Sequence, residues 1–399
     1  MRLRYLDGLR AFAVITVVMA HHRIYYLAPA SFGVTLFFVI SGYVITRLLI
    51  REHAETAGFR VKAFFARRGL KILPPFLLAI TLPTLLLWGK FHFDPVGVAS
   101  QNFFFYNWFQ INNPATLIPE TAKHIILPGS EVVWSLAVEE QFYILIALAW
   151  FFISTRSNAI HKLRVVYTLA FLGSILMRWI IAVNNTEPLV AGRISRIVWG
   201  TDCRLSGIAL GGLIAIAMSG EKPLLLSRNF VLEFVQKYAR VFFFIGLFSI
   251  AIPHFTHKLG SPALDNVLDR SIEEVAGALL IVSGFVSHGW PKSVLRLMES
   301  RIVQMIGLAS YSIYLTHDVF KSLVTESLLG LSSRDLGELG GHISLPFGFT
   351  IYFGLFIAAA VSVVAGLLVH QIADAPMERF RKKWRMQGQN EQTGSALPS

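Results

Sequence analysis

Apolar residues fall along this chain in long unbroken blocks rather than at the three-to-four-residue spacing of an amphipathic helix. Blocks of about 20 residues are what the hydrocarbon core of a bilayer requires of a helix. Ten such blocks lie near residues 6–22, 33–50, 70–88, 135–153, 165–183, 203–219, 239–253, 272–288, 303–328 and 346–371. The pattern predicts an all-α integral membrane protein of about ten transmembrane helices. Phe103-Phe104-Phe105-Tyr106-Asn107-Trp108 is too short to span and reads as an interfacial or re-entrant segment, since Trp and Tyr favour the headgroup level. The connection 89–134 is rich in aromatics, Asn and Pro and carries no clear elements, which marks a functional or disordered segment. No internal repeat stands out, which weighs against a secondary transporter. We expect a membrane domain over 1–384 and a polar, disordered cytoplasmic tail over 385–399.

Composition agrees with the pattern. Of 399 residues, 54% are hydrophobic and only 15% charged, against about 25% charged in a soluble domain. The net charge of +12 does not point to nucleic acid, because the Lys and Arg residues sit between the apolar blocks. Every second connection is basic: Arg2 and Arg4, the stretch from Arg51 to Lys71, then Arg156 to Arg164, Lys222 to Arg240, Lys292 to Arg301, and Arg379 to Arg385. Cytoplasmic loops collect such residues, so both termini are expected on the cytoplasmic side. Arg2 and Arg4 before an apolar run, with Ala28-Pro29-Ala30 beyond it, loosely imitate a cleavable signal. Asp7 and Arg10 inside the run and His21-His22-Arg23 after it argue for a retained helix. Cys203 is the only cysteine, so no internal disulfide and no thiolate metal site is expected.

An ionisable residue inside a spanning helix faces a cavity or a partner. Arg10 and His21 are eleven residues apart in the first helix, about three turns, so they share a face about 16 Å apart along the axis. Asp7 is one turn from Arg10. The bland alternative is a buried Arg–Asp packing pair with His21 reaching the headgroups. Arg67, Arg68 and Lys71 stand just before Pro74-Pro75 at the mouth of the third helix. They read either as topological anchors or as a clamp for a phosphorylated donor. Ser135, Glu139 and Tyr143 recur every four residues in the fourth helix; Glu139 and Glu140 either stay hydrated at the interface or need a partner. His317, in Ser310-Tyr311-Ser312-Ile313-Tyr314-Leu315-Thr316-His317-Asp318, reaches a depth comparable with His21, as either a core residue or a site residue. Arg178, Arg204 and Asp202 add to a predicted polar outer cavity.

These segments together resemble the acyltransferase family 3 membrane proteins, which O-acylate bacterial surface polysaccharides and related sugars. The resemblance rests on Tyr5-Leu6-Asp7-Gly8-Leu9-Arg10-Ala11 with His21, on Gly33-Val34-Thr35-Leu36-Phe37-Phe38-Val39-Ile40-Ser41-Gly42-Tyr43, and on Arg67-Arg68 with Lys71. The stretches Trp134 to Tyr143 and Ser310 to His317 complete it, so it covers nearly the whole membrane domain. It implies acyl-CoA, most simply acetyl-CoA, as a co-substrate approached from the cytoplasm, and a sugar or glycan acceptor on the outer side of the cell (inner) membrane. It also implies that Arg10 and His21 are essential and that the basic residues of the third helix contribute. Lys71 replaces the second Arg of the family's Arg-x-x-Arg, and Ser206 follows Arg204 where members often carry an acid. Some members append an extracellular esterase-like domain; the chain is expected to act without one in cis.

On this reading His21 is the general base on the acceptor hydroxyl, or carries the acyl group itself, with Glu139 as the expected orienting carboxylate. Tyr143, His317, Arg178 and Arg204 are expected to line the cavity. No bound cofactor and no metal is expected. The competing classes are a transporter or flippase of a polysaccharide precursor, since intramembrane charges also mark substrate paths, and a non-catalytic scaffold.

Overall fold

A computed structural model of the chain describes residues 3–22, 30–56, 58–117, 124–156, 158–184, 196–219, 228–252, 262–286, 288–322, 342–344 and 350–380. It is built of helices: α1 (Arg4–His21), α2 (Ala30–Thr56), α3 (Val61–Phe76), α4 (Leu82–Phe91), α5 (Pro95–Asn102), α6 (Tyr106–Asn112), α7 (Val133–Ile153) and α8 (Ala159–Val183). These are followed by α9 (Thr201–Met218), α10 (Arg228–Ser249), α11 (Pro262–Ser283), α12 (Lys292–Met298), α13 (Arg301–Phe320) and α14 (Phe353–Val369). Two three-residue strands, β1 (His342–Ser344) and β2 (Thr350–Tyr352), pair antiparallel before α14.

Six helical stretches among the described residues are long and apolar enough to cross a membrane: Ser31–Thr56, Val61–Phe91, Ser130–Ile153, Ala159–Val183, Arg196–Met218 and Ala358–Phe380. The chain is an all-α, multi-pass membrane protein. Its apolar surface says the same. Leu148, Phe152, Leu169, Leu172 and Leu176 are each more than half exposed, and faces of this kind on α7 and α8 are solvated by lipid rather than water. The four other apolar blocks fall on α1, α10, α11 and α13, with α10 starting at Arg228 and α11 at Pro262, well before the blocks near 239–253 and 272–288. The first, third and fourth of these carry ionisable residues within their runs, such as Asp7 and Arg10, Glu273 and Glu274, and His317 and Asp318, and several of those side chains turn inward.

Several boundaries differ from the pattern. The third helix begins at Val61 rather than near 70 and continues to Phe91 through a π-helical turn, Leu77–Thr81. Pro74 and Pro75 lie inside it. They remove two backbone donors, and the ladder resumes with the wider turn, a common repair in membrane helices. The connection 89–134 is not featureless: Asp94 caps α5 by accepting from the amides of Val96 and Gly97, and α6 follows. The expected end of the ninth span, near 328, and the tail over 385–399 lie outside the described residues.

α1 packs against α2 and α13. α1 and α13 run parallel with a constant offset of 300: Gln304 donates to the Arg4 carbonyl (2.7 Å), Arg10 Nε to Ser310 Oγ (3.2 Å), and Lys321 Nζ to the His21 carbonyl (3.1 Å). Gly307 permits this approach, because a Cβ there would sit 2.0 Å from the Asp7 carbonyl oxygen. Where α2 crosses α9, Gly42 does the same against the Ile208 carbonyl (1.8 Å), the small-residue contact typical of membrane helix pairs.

Candidate functional site

Arg10, Arg68 and Lys71 converge on one internal chamber, reaching it from α1 and α3. On α3, Arg68 and Lys71 are three residues apart and share a face; Arg67 is rotated by about 100° from Arg68 and faces away. α7 contributes Ser135, Glu139 and Tyr143, the four-residue series, and α13 contributes Ser310, Tyr311 and Tyr314. Phe37, Phe38 and Val44 of α2 supply apolar wall. The chamber is narrow, with a volume of about 100 Å³.

The polar groups of the chamber are tied together. Tyr143 Oη donates to Glu139 Oε2 (2.9 Å) and shares a hydrogen bond with Ser41 Oγ (2.7 Å). The Arg68 guanidinium lies 5.0 Å over the Tyr143 ring. Tyr311 Oη donates to the Ile72 carbonyl (3.0 Å), pinning α13 to α3. Three cations thus surround one lining carboxylate, an excess of positive charge suited to an anion. Glu140 does not line the chamber; its Oε1 is buried without a hydrogen bond among the described residues.

Tyr314 closes one end of the chamber. Its hydroxyl is shared with Ser135 Oγ (2.7 Å) and lies 3.2 Å from the Val132 carbonyl. Beyond it stand two histidines. The His317 ring is 5.7 Å from the Tyr314 ring and 4.8 Å, edge to face, from the His21 ring. His317 Nδ1 lies 2.7 Å from the Tyr314 carbonyl, which only accepts, so Nδ1 carries the proton. Its Nε2 is then a lone pair, buried without a hydrogen bond among the described residues.

His21 Nδ1 lies 3.2 Å from Asp318 Oδ2, and Lys321 Nζ holds Asp318 Oδ1 at 2.5 Å. The carboxylate beside His21 is therefore Asp318, not Glu139 as the sequence suggested. Glu139 belongs to α7 and is taken by Tyr143 inside the chamber, on the far side of Tyr314. With Nδ1–H directed at Asp318, His21 keeps Nε2 as its basic position, and the ring is about one-third exposed.

Three other expected site residues stand elsewhere. Arg67 pairs with Glu52 (2.6 Å), which also accepts the Arg60 amide (2.9 Å), so it fastens α3 to α2. Arg178 is fully buried against Glu274 (3.1 Å) and Ser206 (3.0 Å). Ser206 in turn donates to Glu274 Oε1 (2.6 Å), so the acid at this level comes from α11. Arg204 Nη2 reaches Thr35 Oγ1 (3.3 Å) and its guanidinium lies 5.1 Å over Phe38 and 5.7 Å over Trp134. Ser31 and Thr35 both donate to Glu273, and Arg270 pairs with it at 3.1 Å. Arg178 and Arg204 thus belong to a polar layer among α2, α8, α9 and α11 and do not line the chamber. Sequence reading missed Asp318, Lys321, Glu273 and Glu274. Asp318 was in plain sight beside His317, but its partner is almost 300 residues away.

The chain matches the family described as "Acyltransferase domain" over residues 3–368. This chain belongs to the acyltransferase 3 family. Among its relatives is the "O-acetyltransferase OatA" of Staphylococcus aureus (strain NCTC 8325 / PS 47), 29% identical over 329 residues, covering 78% of this chain and 49% of the relative. Another is the "Putative O-acetyltransferase SACOL0978" of Staphylococcus aureus (strain COL), 28% identical over 341 residues, covering 81% of this chain and 52% of the relative. The chain spans about half the length of the curated relatives it matches. No solved structure matches it. Both the chamber and the His21–Asp318 pair fall within the part that defines this acyltransferase family.

Proposed function

We propose that the protein is a membrane O-acetyltransferase that takes an acetyl group from acyl-CoA on the cytoplasmic side of the inner membrane and delivers it to a sugar hydroxyl on the outer side. The observation that carries this reading is the layout along the parallel α1/α13 pair. A cationic chamber with Arg10, Arg68 and Lys71 lies at one level, and the His21–Asp318 pair lies at the C-terminal ends of the same two helices. The family and the relatives' names support acetyl transfer to oxygen. A ten-span topology with both termini cytoplasmic is part of the proposal. It is supported by the alternation of basic connections and by the parallel run of α1 and α13, which as first and ninth spans must point the same way.

The chemistry follows from the side chains. The cations hold the donor's phosphates and the thin acyl-bearing arm occupies the chamber. Asp318 fixes the His21 tautomer, so Nε2 is free to remove the acceptor's hydroxyl proton as its oxygen attacks the thioester carbonyl. The tetrahedral intermediate collapses with cleavage of the C–S bond, and the proton passes from imidazolium to the departing thiolate. In the covalent variant, Nε2 itself attacks the thioester and expels CoA as its thiolate; the hydroxyl then attacks the acetyl-imidazole, giving its proton to that thiolate as the N–acyl bond breaks and His21 is regenerated.

Proteoliposomes loaded with labelled acetyl-CoA test the reading. Label on an external glycan, lost on His21→Ala replacement, is expected. Glycan translocation without acetyl-CoA consumption would make the protein a flippase, and near wild-type transfer by the His21→Ala variant would sink both mechanisms.

A further inference from the structure

One carboxylate beside the His21–Asp318 pair is not used by the chemistry above. Glu131 stands in the tight turn Gly129 to Val132 that leads into α7. Gly129, at φ +80°, sits on the backbone of α13: a Cβ there would lie 2.2 Å from the Asp318 carbonyl oxygen. At the other end of the turn the Val132 carbonyl lies 3.2 Å from Tyr314 Oη. The segment therefore lies along one turn of α13, from Tyr314 to Asp318, and Glu131 joins it between those two contacts.

Ser130 fastens the segment from behind. It receives Gln101 Nε2 of α5 at both Oγ (2.8 Å) and the carbonyl (3.1 Å), and its own hydroxyl donates to the Leu127 carbonyl (2.5 Å). Ser130 and Val132 are buried, whereas Glu131 between them is partly exposed, as the His21 ring is. Glu131 interacts electrostatically with Asp318, Lys321 and His21. Its carboxylate forms no ion pair and takes no hydrogen bond from another residue among the described residues.

Charge counting gives this carboxylate a use. Asp318 already faces the Lys321 ammonium at 2.5 Å, so the two charges offset each other. His317 donates from Nδ1 to the Tyr314 carbonyl, and His22 is hydrogen-bonded to the Val18 carbonyl (2.8 Å) and Ser362 Oγ (3.2 Å). Tyr106, on the other side of Glu131, is a buried phenol. None of these brings a negative charge. In both variants of the proposed chemistry His21 becomes cationic, because Nδ1 keeps its proton toward Asp318. The ring is an imidazolium once Nε2 has removed the hydroxyl proton, and an acetyl-imidazolium once Nε2 has attacked the thioester. Asp318 and Lys321 alone leave that cation unbalanced in surroundings of low polarity, where a nearby fixed carboxylate counts for more than in water.

We propose that Glu131 is a positioning residue of the reaction centre, acting through His21 by offsetting the positive charge that the ring acquires during transfer. Asp318 then sets the ring's orientation, and Glu131 its charge balance. The assignment rests on the O-acetyltransferase reading, and its test separates the two. Full-length protein in proteoliposomes is loaded with labelled acetyl-CoA, with oligosaccharide released from the surface glycan of a deletion strain outside. Glu131→Gln keeps the shape and removes the charge. It is expected to lower kcat about tenfold with both KM values unchanged, and Glu131→Asp to recover most of the loss. Lys321→Gln leaves Asp318 without its counter-charge, so in that background Glu131→Gln should cost less than about threefold. An unchanged kcat in Glu131→Gln overturns the assignment. So does a raised acceptor KM at unchanged kcat, which would make Glu131 a binding group, or a full tenfold loss in the Lys321→Gln background, which would make its role independent of charge. Wild-type protein that transfers no label refutes the transferase and the assignment together, whereas equal transfer by wild type and Glu131→Gln refutes the assignment alone.

Discussion

The carboxylate of Asp318 faces His21 Nδ1 at 3.2 Å, and the Lys321 ammonium bridges that carboxylate to the backbone of His21. The arrangement fixes ring orientation and tautomer at once. Asp318→Asn keeps the shape but permits the amide to favour the other tautomer. By analogy with the orienting carboxylate of hydrolase triads, it should cost about 10²- to 10⁴-fold in turnover. Single-turnover acetylation beside the acceptor KM checks this, and a change in KM alone would mean that Asp318 binds rather than orients.

The adjacent residues Arg67 and Arg68 should separate cleanly. Arg68→Ala removes a chamber cation and is expected to raise the acetyl-CoA KM about tenfold, the value of one charge-assisted contact. Arg67→Ala breaks the pair with Glu52, so it should lower thermal stability by a fraction of a kilocalorie to about 1 kcal/mol and leave the donor KM alone. Equal effects on KM would refute the placement of the two side chains on different faces of α3.

Tyr314 stands between the chamber and the histidines. Tyr314→Phe keeps the wall and loses the contacts to Ser135 and Val132, so transfer should fall only a few-fold, about 1 kcal/mol of barrier. Tyr314→Ala opens the partition, and acetyl-CoA should then be hydrolysed without acceptor. Release of free CoA in acceptor-free proteoliposomes measures this leak. Its absence would show that the donor never passes this point.

Gly307→Ala probes the contact between α1 and α13. A methyl group 2.0 Å from the Asp7 carbonyl oxygen meets backbone, which cannot rotate away. The expected cost is about 1–3 kcal/mol of overpacking, with His21 displaced from Asp318. Melting in detergent reads the first effect and activity the second; an unaltered melting temperature would mean the helices are less tightly apposed than described.

Much of the scaffold was legible because its cause is local. A run of apolar residues announces a bilayer helix whatever surrounds it, and the four-residue series Ser135, Glu139 and Tyr143 makes one face in any helix. Pairings were not legible. Glu139 looked like the partner of His21 because it was an acid entering the membrane, yet the acid that meets His21 is decided by which helix packs beside α1. In the sequence Arg67 and Arg68 read as one basic cluster with Lys71 at the mouth of a third helix placed near 70–88. Once the helix starts at Val61, the rotation between adjacent residues assigns them to different neighbours. The polar layer of Arg178, Arg204, Glu273 and Glu274 escaped for the same reason: each charge was visible, but the complement came from another helix.

The constant offset between α1 and α13 has a consequence for biogenesis. His21 is synthesised 297 residues before Asp318, so at roughly 5–20 residues per second the first helix waits on the order of 15–60 s for its counterpart. During that interval the nascent chain already holds the chamber cations Arg10, Arg68 and Lys71 but lacks the carboxylate that meets His21 Nδ1. The ribosome thus completes the His21–Asp318 pair only near the end of translation, and an interrupted chain carries the chamber cations without it.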